Sequence, residues 1–479
     1  MTNLTDLASA DALAQAALIQ RGEITSLELV EAAIARIEQV NPAINAVVLK
    51  LYDQARAAAR APLPAGPLSG VPFLLKDFLA EYAGVPFTEG TAYLKGYIPK
   101  ADSELVRRYK QAGLVFIGKT NTPELAVGPT TEPRLFGPTR NPWDTTRTAG
   151  GSSGGAAAAV ASGMVPMAHG NDAGGSIRVP AACSGVFGLK PTRARNPLGP
   201  HYGDLMSGLV AEHALTRSVR DSAALLDASA GPDLGDPYWA PPPARPFLQE
   251  VGAPVGKLRI AFSTRTIAGL ALDPQCVAAV EDAAKLCADL GHEVVEATPT
   301  IDPERFFLSF TTVLAAGFTW AIDYWTRLLG RAPTEAEFEP FVWSFTGRGR
   351  QITAPGYLIA LQDLQQISRA IAQFMVAHDV WLTPMLGEPP VPLGTFAYQA
   401  GSDPFELRRK MARFTPFSYF ANATGQPAMS VPTYWTPSGL PVGNQYVGRF
   451  GDEATLFRLA AQLEAARPWA QRRPPVWAG

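Results

Sequence analysis

The chain has 479 residues, 47% hydrophobic and 18% charged, with a formal net charge of −2. That balance suits a soluble enzyme and argues against a nucleic-acid surface, which is ordinarily basic. Three cysteines, Cys183, Cys276 and Cys287, give no disulfide framework and point to a reducing, cytoplasmic compartment.

The opening stretch MTNLTDLASADALAQAALIQRGE lacks a basic leader and a continuous apolar run, so no signal peptide is expected. No stretch of about 20 wholly apolar residues is present, and no membrane span is expected. At about 150 residues per domain the length allows several domains. No linker-like composition or internal repeat divides the chain, and one domain over 1–479 is expected. Its segments are N-terminal helices (1–65), a glycine-rich core (66–230), helices and insertions (231–375) and a C-terminal part of the core (376–479).

In chain order, residues 11–20 alternate at helical spacing. A second helix starts at Thr25, with Glu28 completing a capping box and Leu27, Val30, Ile34 and Ile37 on one face. Asn41-Pro42 is expected to end it. Val71–Leu75 reads as a buried strand with Lys76 at its end, and Gly113–Gly118 as another, with Lys119 in a polar turn beyond it. A strand at 258–262, a helix at 274–290 and a strand at 293–295 suggest a β-α-β unit. Residues 305–373 read as mostly helical and rich in aromatics, chiefly a core of helix faces. A minority of those aromatics is assigned to an apolar pocket. Strands follow at 380–384, 428–433 and 444–448, and Asp452 caps a last helix through Ala466. The proline-rich stretch 237–246 reads as a surface excursion.

The most informative stretch is Gly150–Pro191. Gly150-Gly151-Ser152-Ser153-Gly154-Gly155 runs into the alanine run 156–161, and Gly170-Asn171-Asp172-Ala173-Gly174-Gly175-Ser176 runs into Ile177-Arg178-Val179-Pro180. Glycine permits tight turns and close approach of backbone N–H groups to a ligand. A serine at such a turn can present its hydroxyl beside amide donors able to hold an oxyanion. A flexible linker is the ordinary reading of such composition. It fits poorly here, because helix-forming and strand-like apolar segments flank both glycine clusters.

These motifs, with Gly70-Val71-Pro72-Phe73-Leu74-Leu75-Lys76-Asp77 upstream, Gly188-Leu189-Lys190-Pro191-Thr192 and Leu440-Pro441-Val442-Gly443, resemble the amidase signature family over most of the chain. The resemblance implies an α/β fold: a large mixed, mostly parallel twisted central sheet covered by helices on both faces. It implies hydrolysis of amides by a Ser–cis-Ser–Lys triad. Matched position by position, the nucleophile is Ser176, the cis-serine Ser152 and the lysine Lys76, with a cis Gly151–Ser152 bond. Backbone N–H groups of Ala173, Gly174, Gly175 and Ser176 form the implied oxyanion hole. Ser153, Asp172 and Arg178 are supporting residues, and Ala126, Gly128 and Thr131 belong to a loop beside the acyl pocket. The family's N-terminal helices pack around the core or form dimers, so a homodimer is among the expectations.

A buried lysine has its ammonium disfavoured by desolvation and can act as a base. Lys119 is the rival base. The five histidines form no recognisable Ser-His-Asp pattern, although spacing alone leaves one open. Cys183 lies in an apolar stretch where an inert thiol is expected. No H-E-x-x-H and no cysteine pair at metal spacing occurs, so no metal or cofactor is expected. Asn171, where threonine is frequent, and Cys183-Ser184, where an aromatic and a cysteine are common, together with Ala211-Glu212-His213-Ala214-Leu215-Thr216-Arg217 and Asp233-Leu234-Gly235-Asp236-Pro237-Tyr238, resemble the branch of nylon-oligomer cyclic-dimer hydrolases. The expected substrate is a small apolar or aryl amide, linear or cyclic. Carbamate or ester hydrolysis by the same triad, or the A subunit of a glutamyl-tRNA amidotransferase, are the alternatives. A metal-free mechanism predicts that millimolar chelator leaves amide turnover unchanged; inhibition reversed by added metal would refute it.

Overall fold

The structure is a computed structural model and describes residues 6–479; the first five residues of the stretch read for a leader lie outside it. Eleven strands build one sheet. They are β1 (Val47–Lys50), β2 (Pro72–Lys76), β3 (Val115–Thr120), β6 (Met167–Asp172), β7 (Phe187–Lys190), β8 (Ala211–Thr216), β9 (Arg259–Phe262), β10 (Glu293–Glu296), β11 (Val380–Pro384), β12 (Ala428–Val431) and β13 (Asn444–Val447). A short pair, β4 (Arg140–Asn141) and β5 (Asp144–Thr148), stands apart. The order β1-β3-β2-β6-β8-β7-β12-β13-β11-β9-β10 joins all four sequence segments.

The sheet is mixed. Parallel pairing occupies two flanks, β3–β2–β6 and β11–β9–β10. The β1–β3 edge pair and every pairing from β6 through β11 are antiparallel. The mostly parallel arrangement implied by resemblance thus describes the flanks. The expected β-α-β unit is present as β9, the helix Pro274–Asp289 and β10, with parallel strands.

Successive side chains of a strand point to opposite faces. On β2, Phe73 and Leu75 pack with Leu105, Tyr109 and Leu225, whereas Leu74 packs with the alanines of the helix Gly154–Ala161. On β11, Val380 and Leu382 join one apolar cluster and Trp381 another. Helices therefore cover both faces, and β2 and β11 are buried along their whole length. By the same alternation Lys76 shares its face with Leu74, the face that carries the serine-bearing helix.

Several elements differ from the sequence expectation. The second helix, Ser26–Ile44, runs through Pro42. Proline there withholds only the N–H owed to the exposed Glu38, and Asn41 Oδ1 accepts from the N–H groups of Ala46 and Val47, at 2.8 Å each, to close the end. Strands β6 and β8 and the helix Pro404–Phe414 have no counterpart in the sequence reading. The helix Pro303–Leu329 is not wholly apolar, but it is long and apolar enough by composition to cross a membrane; 61% of its apolar window is buried against the protein.

Lys119 does not lie in a polar turn. It sits within β3, fully buried, with Nζ 3.1 Å from Asp77 Oδ1. Removing one partner of such a pair leaves an uncompensated buried charge. Asp77→Asn is expected to cost about 3–5 kcal/mol, and the double variant Asp77→Asn/Lys119→Met to recover most of it. Urea-denaturation midpoints check this; a double variant no better than the single one would contradict it.

Candidate active site

Three segments meet at the carboxyl end of β2. Lys76 arrives on the strand and is completely buried. Ser152 and Ser153 precede the helix Gly154–Ala161, and Asn171 and Asp172 end β6. Lys76 Nζ is 2.7 Å from Ser152 Oγ, 3.1 Å from Ser153 Oγ and 2.6 Å from Asn171 Oδ1. Burial pulls the ammonium down to about 7, while the charges of Glu212 and Asp172 oppose the fall. A neutral amine has two N–H donors and one lone pair. If Asn171 and Ser153 take the donors, the lone pair faces the Ser152 hydroxyl.

The Gly151–Ser152 peptide bond is cis. A Cβ on Gly151 would lie 2.6 Å from the backbone of Thr130, so only glycine lets these loops touch. Thr131 holds the same loop from outside: its hydroxyl donates to Gly150 O at 2.9 Å and accepts from Gly154 N–H at 3.1 Å. Thr131 is therefore fully buried behind the serine loop rather than lining a substrate pocket. Ala126 and Gly128 do line the cleft.

Ser176 is half-buried at the floor of that cleft, beside Ala173, Gly174 and Gly175. Asp172 organises the turn. Its carboxylate accepts from the N–H groups of Gly175 (2.7 Å), Ile177 (3.1 Å) and Arg178 (3.4 Å), and from the Arg178 guanidinium through Nε (2.9 Å) and Nη2 (2.8 Å). Burial alone would raise this carboxyl, but Arg178 holds it well below the usual range. The Gly175 N–H is thus spent on Asp172 and is not an oxyanion donor, contrary to expectation. The N–H groups of Ala173, Gly174 and Ser176 have no internal acceptor among the described residues. Gly175 has φ +124°, and a Cβ there would lie 2.7 Å from Ser418 Cβ.

Apolar walls close the cleft: Val179, Leu314, Phe318 and Phe345, with Thr415, Tyr419 and Arg408. A cavity of about 550 Å³ adjoins it across Arg408 and Tyr419, lined by Phe306, Phe307 and Phe310 among others. Most aromatics of 305–345 thus divide between helix core and these two spaces, whereas Trp320 is exposed.

The rivals lie elsewhere. Cys183 is fully buried, and burial pushes its thiol well above the usual range. No histidine lines the cleft. His169 lies closest: its Nδ1 accepts from Lys76 N–H at 3.2 Å, which leaves Nε2–H to donate to Glu212. Sequence reasoning missed His169, Glu212 and Arg408 as neighbours of the site. Asn171, marked in the sequence by its departure from threonine, supplies the amide oxygen that accepts from Lys76 Nζ. No cluster of potential metal ligands occurs among the described residues.

A buried amine against two serines, a hydroxyl at a glycine turn and unpaired amide donors beside it are the groups that acyl transfer by a serine–lysine arrangement requires. The chain belongs to the amidase signature family: the family model described as Amidase matches residues 28–457. It is 40% identical to the 6-aminohexanoate-cyclic-dimer hydrolase of Paenarthrobacter ureafaciens over 482 residues, covering 97% of this chain and 96% of that one. The solved structure of 6-aminohexanoate cyclic dimer hydrolase complexed with substrate superposes with a TM-score of 0.94 at 38% identity, covering 98% of this chain and 99% of that one. A bacterial aryl acylamidase gives 0.87 at 27% identity, covering 96% and 97%. The protein is an amidase, a hydrolase of C–N amide bonds in small substrates.

Activity that requires neutral Lys76 rises with pH, because the charged form predominates below about 7. The expected profile of kcat/KM has an acid limb with an apparent pKa near 7. Full activity persisting at pH 5, more than one unit below that limb, would contradict this assignment of the base.

Proposed function

We propose that this amidase works through an acyl-enzyme on Ser176. Lys76 takes a proton from Ser152, Ser152 takes one from Ser176, and Ser176 Oγ attacks the amide carbonyl. The N–H groups of Ala173, Gly174 and Ser176 receive the oxyanion. Each such donor is worth about 3–4 kcal/mol in acyl transfer. Ser152 then hands its proton to the departing nitrogen, which leaves as an amine, and water clears the ester by the same relay. Ser153 and Asn171 orient the amine, and Asp172 with Arg178 fixes the nucleophile turn. The observation that carries this reading is the dry contact of Lys76 Nζ with Ser152 Oγ at 2.7 Å.

The substrate we propose is a small apolar or aryl amide, linear or cyclic. Its support is the apolar lining of the cleft and the relatives named for a cyclic dimer and for aryl acylamides. Carbamates and esters present the same electrophilic carbonyl to the same groups. A cytoplasmic location is consistent with three free, buried cysteines.

Ser176→Ala is expected to lower kcat on an anilide by at least about a thousandfold, with the fold intact by circular dichroism. A fluorophosphonate should add one mass label to the wild type, mapping to Ser176. Labelling elsewhere, or a variant of near wild-type rate, would overturn the assignment of the nucleophile.

A further inference from the structure

Arg408 takes no part in the proposed relay, yet its surroundings demand a partner. It lies on the helix Pro404–Phe414 and is 5% exposed. Its side chain belongs to the wall shared by the cleft at Ser176 and the 550 Å³ cavity. Among the described residues Nε has no hydrogen-bond partner, and Nη1 reaches only the Met411 sulfur, at 3.9 Å. The Tyr419 ring lies 5.4 Å from the guanidinium and supplies a quadrupole rather than a counter-charge. The contrast with its neighbours is informative. Arg409 pairs with Glu304, and the likewise buried Arg178 pairs with Asp172.

A guanidinium is always charged and offers five donors. Its burial without a counter-ion is costly, and buried charges in proteins are paired. No carboxylate of the described residues lies within ion-pairing distance of Arg408, so the partner is to be sought in a ligand. The planar fork fits a carboxylate through two parallel hydrogen bonds. The adjoining space suits what such a carboxylate would be joined to: Leu270, Phe306, Phe307 and Phe310 offer apolar walls for a methylene chain or ring, and Arg413 adds a further cation to the lining beside the Arg409–Glu304 pair.

We infer that Arg408 binds a substrate carboxylate and selects linear amides that carry one, separated from the scissile bond by an apolar spacer. The chemical class is the N-acyl amino acid with a long or aromatic spacer, including linear oligomers of ω-amino acids. This deepens the proposed function and rests on it. Arg408 contributes no proton and no bond to the reaction. It sets which amide is held with its carbonyl at Ser176, so its effect belongs chiefly to KM.

The test compares two substrates of equal length, N-benzoyl ω-aminohexanoate and the neutral N-benzoyl ω-aminohexanol amide, in the wild type, Arg408→Gln and Arg408→Lys. The wild type is expected to prefer the carboxylate by at least about tenfold in kcat/KM, mainly through KM. Arg408→Gln should abolish that preference, and Arg408→Lys should keep part of it. The ratio between substrates cancels any general loss of activity or folded fraction. A second readout needs no turnover: ω-acetamidohexanoate should slow fluorophosphonate labelling of Ser176 in the wild type and fail to do so in Arg408→Gln. A wild type indifferent to the carboxylate, or a glutamine variant that keeps both preference and protection, overturns the inference and leaves the amidase mechanism standing. Absence of any label on Ser176 overturns the mechanism, and the inference with it.

Discussion

Lys76 closes a strand that is buried on both faces, and its amine reaches the serines with no water in between. The ammonium is thereby weakened, and the surrounding groups are arranged so that nothing restores it fully. The two carboxylates whose charge is felt at Lys76 are each held by another partner: Glu212 by His169 and Asp172 by Arg178. Their remote charges offset part of the fall that burial causes and leave the amine titrating at about 7. A carboxylate in direct contact would favour the ammonium far more strongly.

The Asp172–Arg178 pair links chemistry to architecture. Arg178 also donates to Ser418 O at 2.9 Å, to Asn422 Oδ1 at 2.6 Å and to Gln445 Oε1. Asn422 in turn donates to Asp172 O at 2.8 Å and Leu209 O at 3.0 Å. The turn at Ser176 is thus tied to a helix and a strand 240 or more residues away along the chain. Charge-assisted hydrogen bonds are shorter and stronger than neutral ones, and a network with every member engaged holds one geometry. That rigidity leaves the amides of Ala173, Gly174 and Ser176 free while the Gly175 amide serves the scaffold.

The apolar middle of the chain acquires its purpose from the same scaffold. The helix Pro303–Leu329 has the composition of a membrane span, but its buried face supplies Phe306, Phe310, Leu314 and Phe318 to the walls around the cleft. Arg408 enters this apolar region from a helix with a different role, and the juxtaposition gives the space a polar end.

Much of the site was legible in the sequence because its demands are local. Gly150–Gly155 and Gly174–Gly175 mark turns that only glycine can make, and the apolar run before Lys76 marks a core strand. Strand β8 was not legible: Glu212 sits in a fully buried strand, and its carboxylate finds its partner in His169 on the neighbouring β6. Lys119 failed likewise, since nothing near it in sequence announces Asp77 as its counter-ion. The Gly175 amide, Thr131 and Arg408 were decided by tertiary structure alone. Whether an N–H is free, a hydroxyl faces substrate or scaffold, or a charge finds its partner depends on atoms brought from distant segments. The sequence by itself determined the strand, the turns and the residue types of the chemistry; their pairing arose when the sheet closed around them, because burial makes every polar group answer to its spatial neighbours.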